Sequence, residues 1–399
     1  MIFGILFNIG VLGYYKYTNF VIDNLNIVFH LNISEKNIIL PLAISFFTFQ
    51  QITYLVDSYK KLTKEYDFLN YALFVTFFPQ LIAGPIVHHL EMMPQFNDIK
   101  TKVLSYKNLF MGIGIFLFGL SKKVLIADTL AQYANYGFDA SETLTFFEGW
   151  LTSLSYTFQL YFDFSGYSDM AIGLALMFNI NLPKNFNNPY TSLNIQDFWR
   201  RWHITLSRFF KNYVYIPLGG SKNGRNRTLI NVIITFLLCG LWHGAGWTFV
   251  FWGALHGFAL CIFNLWSRLN IKISKFFAWF ITFNFINFAW VLFRAVNIAD
   301  AAKVFKGMFG LSGFVLPKFN KFTYCFELSN NAFTQDFSDI ILFALVFAFI
   351  AIFLFKYIDD IKNLLKPSIL IVTIYVLLTV INLLAMIYKT ETPFLYFNF

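Results

Sequence analysis

Charged residues are scarce in this chain. Only 13% of its 399 residues are Asp, Glu, Lys or Arg, about half the share of an ordinary globular domain, and that deficit excludes a water-soluble surface. Cysteine is almost absent too. Cys239, Cys261 and Cys325 have neither an even count nor metal-ligand spacing, so a disulfide framework and a cysteine metal centre are excluded, and small buried hydrophobes remain. There is no HExxH and no GxSxG, the signatures of a zinc hydrolase and of a nucleophile elbow. Met1 is followed by an apolar run with no basic region and no small-residue cleavage pattern; that run is expected to stay as an anchor rather than be removed.

What fills the chain is hydrocarbon. Hydrophobic residues make up 57% of it and aromatic residues 21%, with 54 phenylalanines, more than water-exposed helices could hide. An integral membrane protein follows. Runs of about 20 apolar residues cross a bilayer as helices, and the pattern predicts an all-α, polytopic bundle of about 10–11 transmembrane or re-entrant helices. Expected spans include residues 2–17, 38–56, 108–127, 229–242, 248–266 and 369–388. The middle of the chain reads as broken helices, with 147–162 and 167–180 as separate segments.

Polar residues inside apolar runs are costly and therefore informative. In CGLWHGAGW (239–247), His243 stands between two tryptophans and three glycines, and the missing glycine side chains leave room beside the ring. In YFDFSGYSDMAIG (161–173), Asp163 and Asp169 sit among aromatics, and Ser165, Gly166 and Ser168 predict a helix break that would cap a new start or open a cavity. Asp163 is expected to orient neighbours. Asp169 is balanced between a cavity floor and a helix cap. His256, in WGALHGF, either faces the same cavity or hydrogen-bonds between helices.

Residues 184–227 carry eight basic side chains against one acid, Asp197. Short basic loops stay on the cytoplasmic side; this one is expected there, and no nucleic-acid cue accompanies its charge. Within it, FWRRWHITLSRFFK (198–211) predicts one amphipathic interfacial helix, with Phe198, Trp199, Trp202, Leu206, Phe209 and Phe210 toward lipid and Arg200, Arg201, Arg208 and Lys211 opposite. The basic face would hold anionic lipid or a phosphate-bearing donor. His203 lies between the two arcs. His243 and His256 are too far apart on one helix to share a metal ion, and the adjacent His88 and His89 read as interfacial.

The segments FPQLIAGPIVHH, QLYFDFSGYSDMAIGLALMFN, NPYTSLNIQDFWRRWHITLSRFFKNYVYIPLGGSK, GLWHGAGWTFVFWGALHG and TPFLYFNF together resemble the membrane-bound O-acyltransferase (MBOAT) family, in its bacterial branch of peptidoglycan and alginate O-acetylation proteins. The similarity covers essentially the whole chain. It implies one membrane domain over 1–399, built around a tunnel, with the basic cytoplasmic loop at 184–227 and an aromatic tail at 389–399. Family members usually carry further helices ahead of the region matching residues 6–17; the chain departs from that pattern, as expected of a fragment or of an internal start. It also implies that His243 is catalytic and that His203 is a second functional position. No bound cofactor is expected; acetyl-CoA is implied as the thioester donor, in the bacterial inner membrane.

The chemistry agrees with that resemblance. Moving an acyl group from a thioester to a hydroxyl needs a base near neutrality, which His243 supplies. The oxyanion needs donors, and the indoles of Trp242 and Trp247 or the amides of Gly244 and Gly246 are the candidates. Tyr396 in the tail is the candidate transient acyl acceptor, with Phe394 and Phe399 seating it. With no soluble transferase domain in the chain, a separate extracytoplasmic O-acetyltransferase is the expected partner. Peptidoglycan is the expected acceptor, with alginate or another exopolysaccharide as the alternative. A transporter is the rival class, although the self-similar halves usual in transporters are missing here.

Overall fold

The computed structural model describes residues 1–63, 67–81, 84–269, 271–315, 318–319, 326–327, 338–354, 365–388 and 394–395. In chain order the helices are α1 (Ile2–Phe29), α2 (Ile44–Tyr59), α3 (Phe68–Thr76), α4 (Phe78–Leu81), α5 (His89–Asn97), α6 (Tyr106–Ser121), α7 (Asp128–Asn135), α8 (Phe146–Met177), α9 (Ile195–Arg201), α10 (Ile204–Phe210), α11 (Arg225–His243), α12 (Trp247–Trp266), α13 (Lys275–Arg294), α14 (Ile298–Met308), α15 (Ser338–Leu354) and α16 (Ile369–Tyr388). A π-helical stretch, Lys122–Ala127, joins α6 to α7. The pair Lys318–Phe319 and Phe326–Glu327 is antiparallel, so the fold is helical throughout its core.

Among the described residues, four helical stretches are long and apolar enough to cross a bilayer unaided: Tyr106–Ala140, Trp247–Trp266, Lys275–Arg294 and Ile369–Tyr388. The sequence predicts ten or eleven spans. The difference lies in helices such as α2, which has 16 residues, and in α1 and α8, whose apolar runs are interrupted by Lys16, Asp163 and Asp169.

The centre of the bundle is α8, and here the structure corrects the sequence. No break occurs at Ser165–Ser168: α8 is one helix of 32 residues, about 48 Å long. Its glycines serve close packing instead. A Cβ on Gly166 would stand 2.6 Å from the Gly119 carbonyl oxygen, and one on Gly173 2.6 Å from that of Gly112. Two glycines seven residues apart on each helix therefore let α6 and α8 run backbone to backbone, as small residues do inside membranes. Two ion pairs reinforce the contact, Lys122 to Asp169 at 2.5 Å and Lys123 to Asp163 at 2.7 Å. Asp169 is thus not a helix cap but the partner of Lys122.

The 198–211 segment is corrected as well. It forms α9 and α10 rather than one interfacial helix, with the chain turning at Trp202 and at His203, whose φ is 41°. Phe198, Trp202, Leu206 and Phe209 are buried in the protein core, against Tyr190, Phe49 and Trp290. Periodicity marked the apolar face correctly; it could not say that protein rather than lipid covers it.

The hairpin of α11 and α12 follows the same small-residue logic. A side chain at Gly240 would meet the Phe249 carbonyl oxygen, and one at Gly253 the Phe236 carbonyl oxygen. Close approach at this pair sets the corner that follows His243.

Candidate functional site

His243 is the last residue of α11, where the backbone leaves the helix through an extended Gly244. Its ring is 2% exposed as a residue and is boxed by Trp242 at 4.8 Å, Phe293 at 5.0 Å and Trp252 at 5.1 Å between ring centres. All three partners meet it edge to face, a geometry that fixes the plane of a flat ring. His203, Lys16 and His256 each stand near enough to act on it electrostatically.

Two cavities flank this position. One, of about 700 Å3, is lined by His243, Gly244, Gly246 and Thr248 together with Lys16, Tyr156 and Gln159. The other, of about 430 Å3, is lined by Trp199, Arg200, Lys211, Phe236 and Cys239. Cys239 and His243 are one helical turn apart on α11, about 6 Å along its axis. That turn separates a residue of one cavity's wall from a residue of the other's, and the Trp199 indole, in the wall of the smaller cavity, packs 5.8 Å from that of Trp252 beside His243.

The predicted site residues sort by these two spaces. His203 is buried, with Nδ1 2.9 Å from Asn185 Oδ1 and its ring against Phe164 and Phe46; it lines neither cavity. His256 accepts a hydrogen bond at Nδ1 from the Trp199 indole, 3.2 Å away, so its proton is on Nε2, and it braces the partition. Trp242 stands behind His243, stacked on Phe49. Trp247 is 52% exposed, donates its indole N–H to Asn24 Oδ1 at 2.9 Å and stands outside the cavity wall. Asp163 lines neither cavity. It binds Lys123 and accepts the Leu395 backbone N–H at 3.1 Å.

Of the basic residues, Arg200 reaches the smaller cavity. Arg201 pairs with Asp197 at 2.9 Å. Arg208 forks onto the Glu91 carboxylate, beside a third pocket where Tyr213 donates to Asp57 at 2.8 Å and His88 closes the cluster. Burial, and then the Asp57 carboxylate, hold the Tyr213 phenol well above its ordinary pKa. His88 and His89 are buried rather than interfacial. Cys239 and Cys261 are free and buried, as expected; Cys325 lies outside the described residues.

Tyr396 and Phe399 also lie outside the described residues. The two tail residues that are described pack against α8 and the cavity wall respectively. Phe394 is buried and stacks on Tyr167 at 4.5 Å, and Leu395 lines the larger cavity with His243.

Several polar wall residues escaped the sequence analysis. Arg294 joins Asp139 at 2.5 Å and Asn135 at 3.0 Å at the cavity edge, and Lys16 and Gln159 face inward. The signal was present for Lys16, a lone charge inside an apolar run. For Gln159 nothing distinguished it from a polar residue facing another helix. The oxyanion candidates narrow: Trp247 is held by Asn24, and the Gly244 amide is bonded to the Gly240 carbonyl at 3.3 Å. Trp242 and Trp252 keep buried indole N–H groups without a hydrogen-bond partner among the described residues.

A polytopic helical bundle with a buried histidine in the wall of a polar cavity defines a membrane protein with a buried polar site. The chain belongs to the MBOAT, membrane-bound O-acyltransferase family, whose pattern matches residues 39–299. It is 53% identical over 350 residues to a peptidoglycan O-acetyltransferase of Helicobacter pylori, covering 80% of this chain and 66% of that relative. A probable alginate O-acetylase of Pseudomonas aeruginosa is 42% identical over 327 residues, covering 80% of this chain and 62% of the relative. A teichoic acid D-alanyltransferase of Bacillus subtilis is 30% identical over 273 residues, covering 64% and 69%. The chain thus spans slightly less than two thirds of the first two relatives' length.

Proposed function

We propose that the chain is a membrane O-acetyltransferase that passes an acetyl group from a cytoplasmic thioester, acetyl-CoA, across the inner membrane for O-acetylation of peptidoglycan. The observation that carries this is the position of His243, one helical turn from the far cavity and in the wall of the near one. A thioester entering past Arg200 and Lys211 would meet the imidazole at the partition. An acceptor hydroxyl would reach the same ring from the other side. Peptidoglycan is preferred over alginate because the relative named for it is the more similar of the two.

The reading extends to the tail. Tyr396 follows Leu395, whose side chain is in the cavity wall. The His243 imidazole takes the phenol proton, and the phenolate oxygen attacks the thioester carbonyl carbon. An indole N–H of Trp242 or Trp252 supports the oxyanion. The C–S bond then breaks, and the thiolate leaves with the proton returned from the imidazolium. The resulting aryl ester is a reactive carrier, and a separate extracytoplasmic transferase would move the acetyl group from it to a glycan hydroxyl. His203, Asn185 and His256 hold the aromatic wall in which this occurs.

The test is mass spectrometry of ester-linked acetate on purified glycan from cells carrying the wild-type chain, no chain, or His243→Ala. Acetate should be present only with the wild type. A general base contributes about 10²–10⁴-fold, so the variant should fall to background while remaining inserted. A folded His243→Ala protein with wild-type acetylation sinks the assignment, and solute movement without any acetyl donor would restore the transporter reading.

A further inference from the structure

We infer that Lys16, on the first helix, is a positioning residue for His243: it caps the broken end of α11 and sets where the imidazole stands. This rests on the reading of His243 as the base.

The end of a helix leaves its last carbonyls without partners, and a buried end needs them supplied from elsewhere. Here the chain departs from α11 directly at Gly244, in an extended conformation, so no following turn supplies them all. α1 does so instead. The Tyr17 hydroxyl donates to the Leu241 carbonyl at 2.6 Å. The Lys16 amine donates to the Trp242 carbonyl and to the His243 carbonyl at 3.2 Å. Three successive carbonyls of the terminal turn are thereby held by two adjacent side chains. Seven residues further along α1, Asn24 takes the Trp247 indole N–H, which fixes the first residue of α12. The whole corner between α11 and α12, with His243 at its apex, is pinned to α1.

The third contact of Lys16 decides its role. An ammonium has three hydrogens, and the remaining neighbour is Ser45 Oγ on α2 at 3.3 Å. With Trp242, His243 and Ser45 as acceptors, the group has no donor left for a developing oxyanion, although it lines the same cavity. Lys16 therefore acts through His243 rather than on the reacting atoms. A cation at a helix C-terminus is also favoured by the helix dipole, and Lys16 lies 5.8 Å from the Trp242 ring, whose face attracts it. α1 precedes residues 39–299, the segment that carries the family pattern; the chain recruits the helix that braces its candidate base from outside that segment.

The test compares Lys16→Met, Lys16→Arg and wild type as the full chain in lipid nanodiscs, with its partner transferase, acetyl-CoA and soluble peptidoglycan fragments as the acetyl acceptor, and follows amide exchange of the peptide spanning 240–248. Lys16→Met should lower kcat at least tenfold, leave KM for the thioester within about twofold, and raise exchange at the corner but not along α8. Lys16→Arg should recover most of both. Wild-type kcat with unchanged exchange in Lys16→Met overturns the inference. So does a loss shared equally by Met and Arg with exchange raised across the whole chain, which would make Lys16 a folding residue only. If His243→Ala proves active, the functional reading fails; exchange at the corner still reports whether Lys16 holds it.

Discussion

At the scale of single residues, the site depends on how one histidine is walled and held. His243 stands in an aromatic box with its backbone fixed from α1, and its ring faces a cavity that Leu395 helps to close. The tail reading makes a clean prediction. Tyr396→Phe keeps the ring and removes the nucleophilic oxygen, so acetate on glycan should disappear while the chain's amount in the membrane is unchanged. Acetylation at the wild-type rate with the partner present would reduce the tail to a plug. WHG could be read from sequence because a lone imidazole in hydrocarbon must be accounted for. Lys16 carried the same signal, yet its value came from the three acceptors around it, which only the folded chain assembles.

At the scale of elements, α6 and α8 decide the stability of the bundle. Their glycine contacts place Lys122 and Lys123 beside Asp169 and Asp163. Charges in such surroundings are tolerated because they are paired, and removing one partner leaves the other exposed to the full desolvation cost. Lys122→Met should therefore lower unfolding stability in detergent by about 3–5 kcal/mol, and adding Asp169→Leu should recover most of it. Denaturant unfolding of the two variants checks this; equal stability of Lys122→Met and wild type would show that the pair contributes nothing. The sequence marked the aspartates as important, with an orienting part for Asp163, and expected a helix break beside them that is not there. A Ser-Gly-Tyr-Ser run has the local preferences of a helix break, and only a neighbouring backbone close enough to need Gly166 makes it a helix interior. The same holds for α9 and α10: the apolar arc was legible, the turn at His203 was not.

At the scale of the whole molecule, one cavity is lined by His243 and by Leu395 of the tail, and a second, with Arg200 and Lys211 in its wall, comes to Cys239, one helical turn away on α11. On the proposed reading the chain carries the acetyl group to the outer side and stops there. Proteoliposomes containing this chain alone, given acetyl-CoA and peptidoglycan, should show thioester consumption limited by the tail and no glycan acetate. Adding the partner transferase should produce it. Robust glycan acetylation without a partner would refute the relay.

By itself the sequence determined the solvent, the helical class, the family and the residue most worth testing. Each is set by composition or by a short contiguous motif: hydrocarbon content dictates a membrane, and WRRWH and WHG carry the resemblance. Only the tertiary structure decided that the tryptophan face packs on protein, that Asp163 and Asp169 answer lysines, that Trp247 turns away, and that α1 holds the end of α11. These are contacts between segments that in several cases stand more than 200 residues apart. Local preference is blind to them, because the energy of a buried polar group is settled by which partner the packing brings within hydrogen-bond reach.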